Sequence, residues 1–273
     1  MKGVFKGDEP LSLKKYRQEQ PGSTWEQLRN DALYGGRQAY TDIRTQTHAD
    51  QGGLCAYCEI DIRRNSPLTS SVEHFHPKSD NSPLNNWALI WVNMLAVCVG
   101  GSNRHGTQPH TMEPLVENLS CDAHKNHLIQ KGTLPQACEG WILNPLLLSD
   151  GVRLFSVNKF NGELRANEAV CDAANPWPNN QHADIKALVN YTIQTLNLNC
   201  QRLCNARLVL IHDIERNKKK QRLAGCTSQQ GLAVLARRYL AHPWPGFFTT
   251  ICWCLGTAAD DYLNEAPLAL NKA

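Results

Sequence analysis

Apolar positions recur at helical spacing towards both ends of this chain and break into short, irregular runs between them. Beyond about Gln181, Ile185, Leu188, Val189, Thr192, Ile193 and Leu196 share one face. The helical pattern then continues to Glu265, with Pro243 and Pro245 separating the last two helices. Residues 1–50 also read as helical. Ser23, with Glu26 three places on, offers a capping box, and Trp25, Leu28 and Leu33 give a partial apolar stripe.

The middle of the chain changes character. Gly52-Gly53 ends a helix, and Cys55-Ala-Tyr-Cys58 follows as a tight knuckle. The pattern then predicts a short hairpin turning near Asn65-Ser66-Pro67, with 71–75 as its second strand. An apolar segment at 87–97 is interrupted by Asn93, residues 99–114 read as a loop, and 121–128 opens a helix. A second hairpin is signalled at 152–157 and 163–166, with Asn161-Gly162 as its turn. Four regions follow: a helical one at 1–50, a module around the knuckle at 51–130, a hairpin and connection at 131–180, and a helical one at 181–273. The fold class this implies is α+β.

Composition narrows the functional classes. The 273 residues are 42% hydrophobic and 19% charged, ordinary for a soluble domain or two. No run approaches the roughly 20 apolar residues of a membrane helix. The N-terminal stretch lacks the apolar core of a signal peptide, so the expectation is a cytoplasmic protein. A net charge of +3 does not by itself indicate a polyanion partner. Lys14, Lys15 and Arg17, and later Arg216, Lys218, Lys219, Lys220 and Arg222, suit phosphate contacts and solvated helix faces equally. The segment leading to the second cluster also fits a partner-docking arm or core packing, through Leu203, Leu208, Leu210 and Ile211.

Eleven cysteines, an odd number scattered along a long chain, do not form a disulfide framework, which points part of the set to metal. Two thiolates spaced as Cys55-x-x-Cys58 can both point at one tetrahedral Zn²⁺. Cys98 and Cys121, which bracket the rest of the module, are the best further ligands, with His105, His124 and His127 as competitors. Cys200, Cys204, Cys252 and Cys254 read as small buried residues. Glu73-His74-Phe75-His76-Pro77 packs a carboxylate and two imidazoles into four positions. On a regular strand, residues 73 and 74 would face opposite sides.

Together these motifs resemble the HNH (ββα-metal) endonuclease family. The residues that carry the resemblance are Cys55-x-x-Cys58, Glu73-His74-x-x-Pro77, Asn93, Cys98 and Cys121-Asp122-x-x-Lys125. The 22 residues between Cys98 and Cys121 depart from the family's usual two, and a loop can absorb them. The departure leaves Asn103 and His105 as rivals to Asp122 for the last metal-ligand position. The phrase Cys-Ala-Tyr-Cys-Glu, the Ile142-Leu143-Asn144-Pro145 element and the Leu196-Asn197-Leu198-Asn199 segment look like the PtuB-type HNH proteins of Septu anti-phage systems, with related forms in retrons.

The resemblance implies a zinc-stapled nuclease core at 51–130 that hydrolyses DNA or RNA, in a defence complex with a PtuA-like ATPase, with retron components as further candidate partners. It implies a structural Zn²⁺ on Cys55, Cys58, Cys98 and Cys121, and a catalytic Mg²⁺ or Mn²⁺ on Glu73 and Asp122. His74 would be the general base, on a strand end bent to bring it beside Glu73. Asn93 would hold the loop and orient His74, and His76 is a weaker candidate for a metal or phosphate contact. The competing class is a non-catalytic zinc-stapled adaptor or nucleic-acid-binding subunit, which has no need of Glu73-His74, Asn93 and Asp122 together.

Overall fold

Two antiparallel strands and one helix carry the chemistry-bearing residues. In a computed structural model describing residues 1–64, 69–80, 85–102, 115–149 and 151–265, β1 (Ser70–His74) pairs with β2 (Met94–Cys98), placing Ser70 opposite Cys98 and His74 opposite Met94. Helix α4 (Cys121–Gln130) packs on β2. The predicted turn at Asn65-Ser66-Pro67 lies outside the described residues, but β1 is not the return strand of a local hairpin. Its partner is the apolar segment after Asn93. All five residues of β2 are buried, because α3 (Gly36–Asp50) and α4 both pack against this strand. A strand covered on both faces loses the alternation that would announce it.

The N-terminal region forms three helices, α1 (Leu11–Glu19), α2 (Trp25–Asn30) and α3. The capping box at the start of α2 belongs to Thr24 and Gln27, one residue later than the sequence suggested. Trp25 and Leu28 are buried, whereas Leu33 is 90% exposed in the turn beyond the helix. With Leu13, Tyr16, Ala39 and Ile43 they enclose Ala88, Leu89, Trp91 and Met94, so this small core supports the segment entering β2.

A larger core continues from the cysteine knuckle to the C-terminal helices. The second hairpin forms as β3 (Phe155–Val157) and β4 (Leu164–Ala166). Gly162, at φ +74°, suits its turn, where a Cβ would lie 2.3 Å from the Cys204 carbonyl oxygen. The short α5 (Glu168–Ala173) follows, and α6 (Ile185–Thr195) buries the predicted stripe. The long α7 (Gln201–Leu223) buries Leu203 and Ile211, with Leu208 and Leu210 partly buried against the same core. Core packing therefore accounts for those apolar residues. Pro243 and Pro245 lie between α8 (Ser228–Leu240) and α9 (Phe248–Leu255), and Gly256 separates α9 from a further helix, α10 (Thr257–Glu265). No helix among the described residues is long and apolar enough to cross a membrane.

Buried His48 on α3 makes the fold sensitive to acid. Burial, with Arg44 nearby, lowers its pKa from the ordinary 6.5 to about 4. Below pH 6.5 the unfolded chain therefore takes up a proton at this residue that the folded chain refuses until about pH 4. Stability should fall as pH drops through that window and stay level above it. Urea denaturation at pH 7.5 and 5.0 should show a smaller acid loss for His48→Gln than for the parent. Equal losses would exclude His48 as a contributor.

Candidate active site and metal centre

The four predicted zinc ligands converge. The sulfur atoms of Cys55, Cys58, Cys98 and Cys121 are buried and all lie within 4.8 Å of one another. The Cys55–Cys121 separation is 3.9 Å, and Cys58–Cys98 and Cys98–Cys121 are each 3.7 Å apart. A tetrahedral Zn²⁺ with bonds of about 2.3 Å requires sulfurs roughly 3.8 Å apart, so the cluster fits that ion. Burial opposes ionisation of Cys55, but hydrogen bonds from Cys121, Cys58 and Cys98 hold its thiol well below the ordinary range. Burial pushes Cys58 and Cys121 well above it. A cation at the centre would remove that conflict.

Backbone hydrogen bonds bring distant segments to the cluster. In the knuckle, Cys55 N–H donates to the Ile60 carbonyl and Glu59 N–H to the Cys55 carbonyl, with Glu59 in the left-handed region at φ +63°. Cys98 N–H donates to Cys55 Sγ at 3.3 Å. The insertion between Cys98 and Cys121 is closed off at its base, where Ser120 N–H donates to the Gly100 carbonyl at 2.9 Å. Gly100 is suited to this close approach: its φ is +63°, and a Cβ would meet Ser120 O at 2.2 Å. Cys121 N–H donates to the Leu196 carbonyl, while Asn197 Nδ2 donates to the carbonyls of Glu117 and Leu119. The Leu196–Asn197 corner thus holds the entrance to α4.

Glu73, His74, Asp122, Lys125 and Asn126 line one open cleft together with Pro77, Lys78 and Gln136. Glu73 and His74 reach the same cleft although they are neighbours on a strand, because β1 ends at His74 and the chain bends over the next two residues. Helix α4 presents Asp122, Lys125 and Asn126 at spacings of three and four, which lie on one face. Asn126 Nδ2 donates to Asp122 Oδ1 at 2.7 Å. Asn103 and His105 lie outside the described residues.

The acidic pair is buried. Burial and the charge of Asp122 push the Glu73 carboxyl well above the usual range, and Lys125, ion-paired to Glu73 Oε1, only partly opposes this. Burial disfavours the Lys125 ammonium, yet Glu73 and Asp122 raise it above its ordinary value. Tyr57 Oη, also buried, approaches Glu73 Oε1 at 3.5 Å. The hard oxygen donors of Glu73 and Asp122, both lining the cleft, suit a divalent cation such as Mg²⁺ or Mn²⁺.

His74 is buried with its ring edge-on to Trp25, centroids 4.5 Å apart. Its Nε2 lies 3.2 Å from the Ala88 carbonyl. A carbonyl only accepts, so Nε2 carries the proton and the neutral ring keeps its lone pair on Nδ1. Burial lowers the pKa of His74 to about 4, opposed by the Ala88 hydrogen bond and, more weakly, by Asp122.

Asn93 does not hydrogen-bond the His74 ring among the described residues, contrary to the expectation that it orients the base directly. It clamps the loop behind the base. Its Oδ1 accepts His76 N–H at 2.7 Å, and its Nδ2 donates to the carbonyls of His76 and Trp87 at 3.0 and 3.1 Å. Asn93→Ala should lower folding stability by about 1–3 kcal/mol, because it strands partly buried backbone groups. Asn93→Asp, which keeps the acceptor but loses the donor, should fall between the two in denaturant titration. His76 points away from the carboxylate pair: it stacks on Trp87 and bridges Glu139 and Asp80 at 2.6 and 2.8 Å.

A two-stranded sheet and a helix thus bring together a four-thiol cluster that could bind zinc and a histidine–carboxylate cleft, in a protein of mixed helices and small sheets. The chain belongs to the HNH endonuclease family. Over 227 residues it is 37% identical to the Escherichia coli protein named "Retron Ec83 putative HNH endonuclease", covering 81% of this chain and 84% of that protein. No family model matches the chain.

Proposed function

We propose that the protein is a nuclease that hydrolyses nucleic-acid phosphodiester bonds in the cleft between β1 and α4. The observation that carries this reading is the meeting of a neutral His74, its tautomer set by the Ala88 carbonyl, with the Glu73 and Asp122 carboxylates on one cleft. Structural proteins rarely bury two acids of like charge beside an imidazole, and such perturbed groups mark reactive sites. Cys55, Cys58, Cys98 and Cys121 hold a structural zinc that fixes the strands and α4.

Glu73 and Asp122 hold a Mg²⁺ or Mn²⁺ ion, which supplies charge stabilisation at the scissile phosphate and the leaving oxygen. His74 accepts a proton from the attacking water at Nδ1. The resulting imidazolium keeps its hydrogen bond to Ala88 and is favoured by the Asp122 charge, offsetting part of the burial that opposes it. Asn93 acts as a positioning residue through the His76 and Trp87 backbone. Lys78, across the cleft, adds positive charge for the substrate backbone, although Glu26 ion-pairs it at 2.8 Å.

The name of the Escherichia coli relative links that protein to a retron, and the likeness of the Cys-Ala-Tyr-Cys-Glu phrase to PtuB-type proteins extends the reading to a role in anti-phage defence beside retron components and a PtuA-like ATPase. Plasmid, single-stranded DNA and bulk tRNA, each offered with Mg²⁺ or Mn²⁺ and with or without that ATPase, test the reading and separate DNA from RNA. His74→Ala should lower cleavage by about 10²–10⁴-fold while zinc content and helical signal are kept. Undiminished cleavage by the folded variant would remove His74 from the base position.

A further inference from the structure

We infer that Lys125 is a resident counter-ion which the divalent cation displaces, and that its released ammonium then neutralises the substrate phosphate. The inference rests on the nuclease reading above. Lys125 Nζ is ion-paired to Glu73 Oε1, the oxygen that Tyr57 also approaches, and both ionic side chains are almost wholly buried. The Asp122 charge acts on Lys125 as well as on Glu73. Lys125 therefore shares the carboxylate pair with any cation bound there.

A divalent ion and an ammonium cannot both sit against one buried carboxylate at low cost, because their repulsion is poorly screened. The ammonium is the part that can move. It ends a flexible four-carbon stem on α4 and lines the cleft, and its documented hydrogen-bond acceptor is Glu73 alone among the described residues. Two of its three donors thus have no acceptor among the described residues. Phe75 lies on one side, its ring centroid 5.8 Å from Nζ, and favours a cation without fixing its direction. Once displaced, Lys125 meets the cleft, where the incoming anion is the scissile phosphate. Metal binding and phosphate capture are thereby coupled through one side chain, and the carboxylates are not left bare in the interval.

The test is Mn²⁺ binding to the full-length, zinc-loaded protein, read from the electron paramagnetic resonance signal of free Mn²⁺, for the parent, Lys125→Met and Glu73→Gln. Removing the competing ammonium should tighten Mn²⁺ binding about 10-fold, equivalent to about 1.4 kcal/mol. At saturating Mn²⁺ the same variant should lose cleavage by about 10-fold or more, since the phosphate has lost its partner. Unchanged or weaker Mn²⁺ binding by folded Lys125→Met would overturn the counter-ion role and leave Lys125 a support for Glu73. Mn²⁺ binding undiminished in Glu73→Gln would instead overturn the metal site itself, so the two failures are distinct. Should Lys125→Met not fold, amine acetylation of the parent, mapped by mass spectrometry, decides the question. Lys125 should label several-fold faster with Mg²⁺ than without it, and an unchanged rate would reject the displacement.

Discussion

Replacing Cys98 or Cys121 with serine should unfold the protein at physiological temperature, and a strong zinc chelator should reproduce the effect in the parent. The four sulfurs join pieces distant in sequence: the knuckle at 55–58, the end of β2 and the first residue of α4. Structural zinc contributes an apparent 10–16 kcal/mol in small zinc domains, about as much as the whole folding free energy of an ordinary domain. Losing one thiolate of four forfeits a large share of that and leaves three buried thiols around an incomplete site. Cys200→Ser and Cys252→Ser, buried elsewhere in the large core, should keep one zinc per chain. Metal analysis together with thermal melting checks both halves. A Cys121→Ser protein without zinc but with an unshifted melting temperature would show that the cluster is not a structural metal site.

Local chemistry made much of this centre legible from sequence. The Cys55-x-x-Cys58 spacing is a property of one turn, and Asn161-Gly162 specifies a hairpin by its own backbone preferences, so both could be read without neighbours. The stripe from Ile185 to Leu196 was equally plain because a single face carries it. Long-range pairing was not legible. The strand that partners β1 lies some twenty residues on, uniformly apolar because helices cover it on both sides, and its register depends on contacts no window contains. That Asn93 holds the loop was expected from the resemblance, but its partners were hidden for a similar reason, since they are backbone groups and have no side-chain signature. Asn126 could have been found from its spacing of four to Asp122 on a helix.

The acidic pair should show opposite effects on stability and on activity. Asp122→Asn keeps an oxygen for the Asn126 amide, which now donates at 2.7 Å, and changes volume hardly at all. It removes the charge that helps raise the Glu73 carboxyl and leaves the Glu73–Lys125 ion pair in place. The variant should therefore be more stable than the parent in metal-free buffer, by roughly 1 kcal/mol or more, since relieving repulsion between two buried like charges is commonly stabilising. Its cleavage should nevertheless fall by about 10³-fold or more, because a divalent ion held by one fewer carboxylate loses several kcal/mol of transition-state stabilisation. A residue placed for packing alone would behave the other way, losing stability and sparing turnover. Chemical denaturation with and without Mn²⁺ separates the cases: the parent should gain stability from the ion and Asp122→Asn should gain little. If Asp122→Asn loses stability in metal-free buffer and still cleaves, the carboxylate belongs to the scaffold and the ion must be held elsewhere. The expected reversal reflects strain kept at a site because its chemistry needs it, with the zinc cluster and the large core beside it supplying the compensating stability.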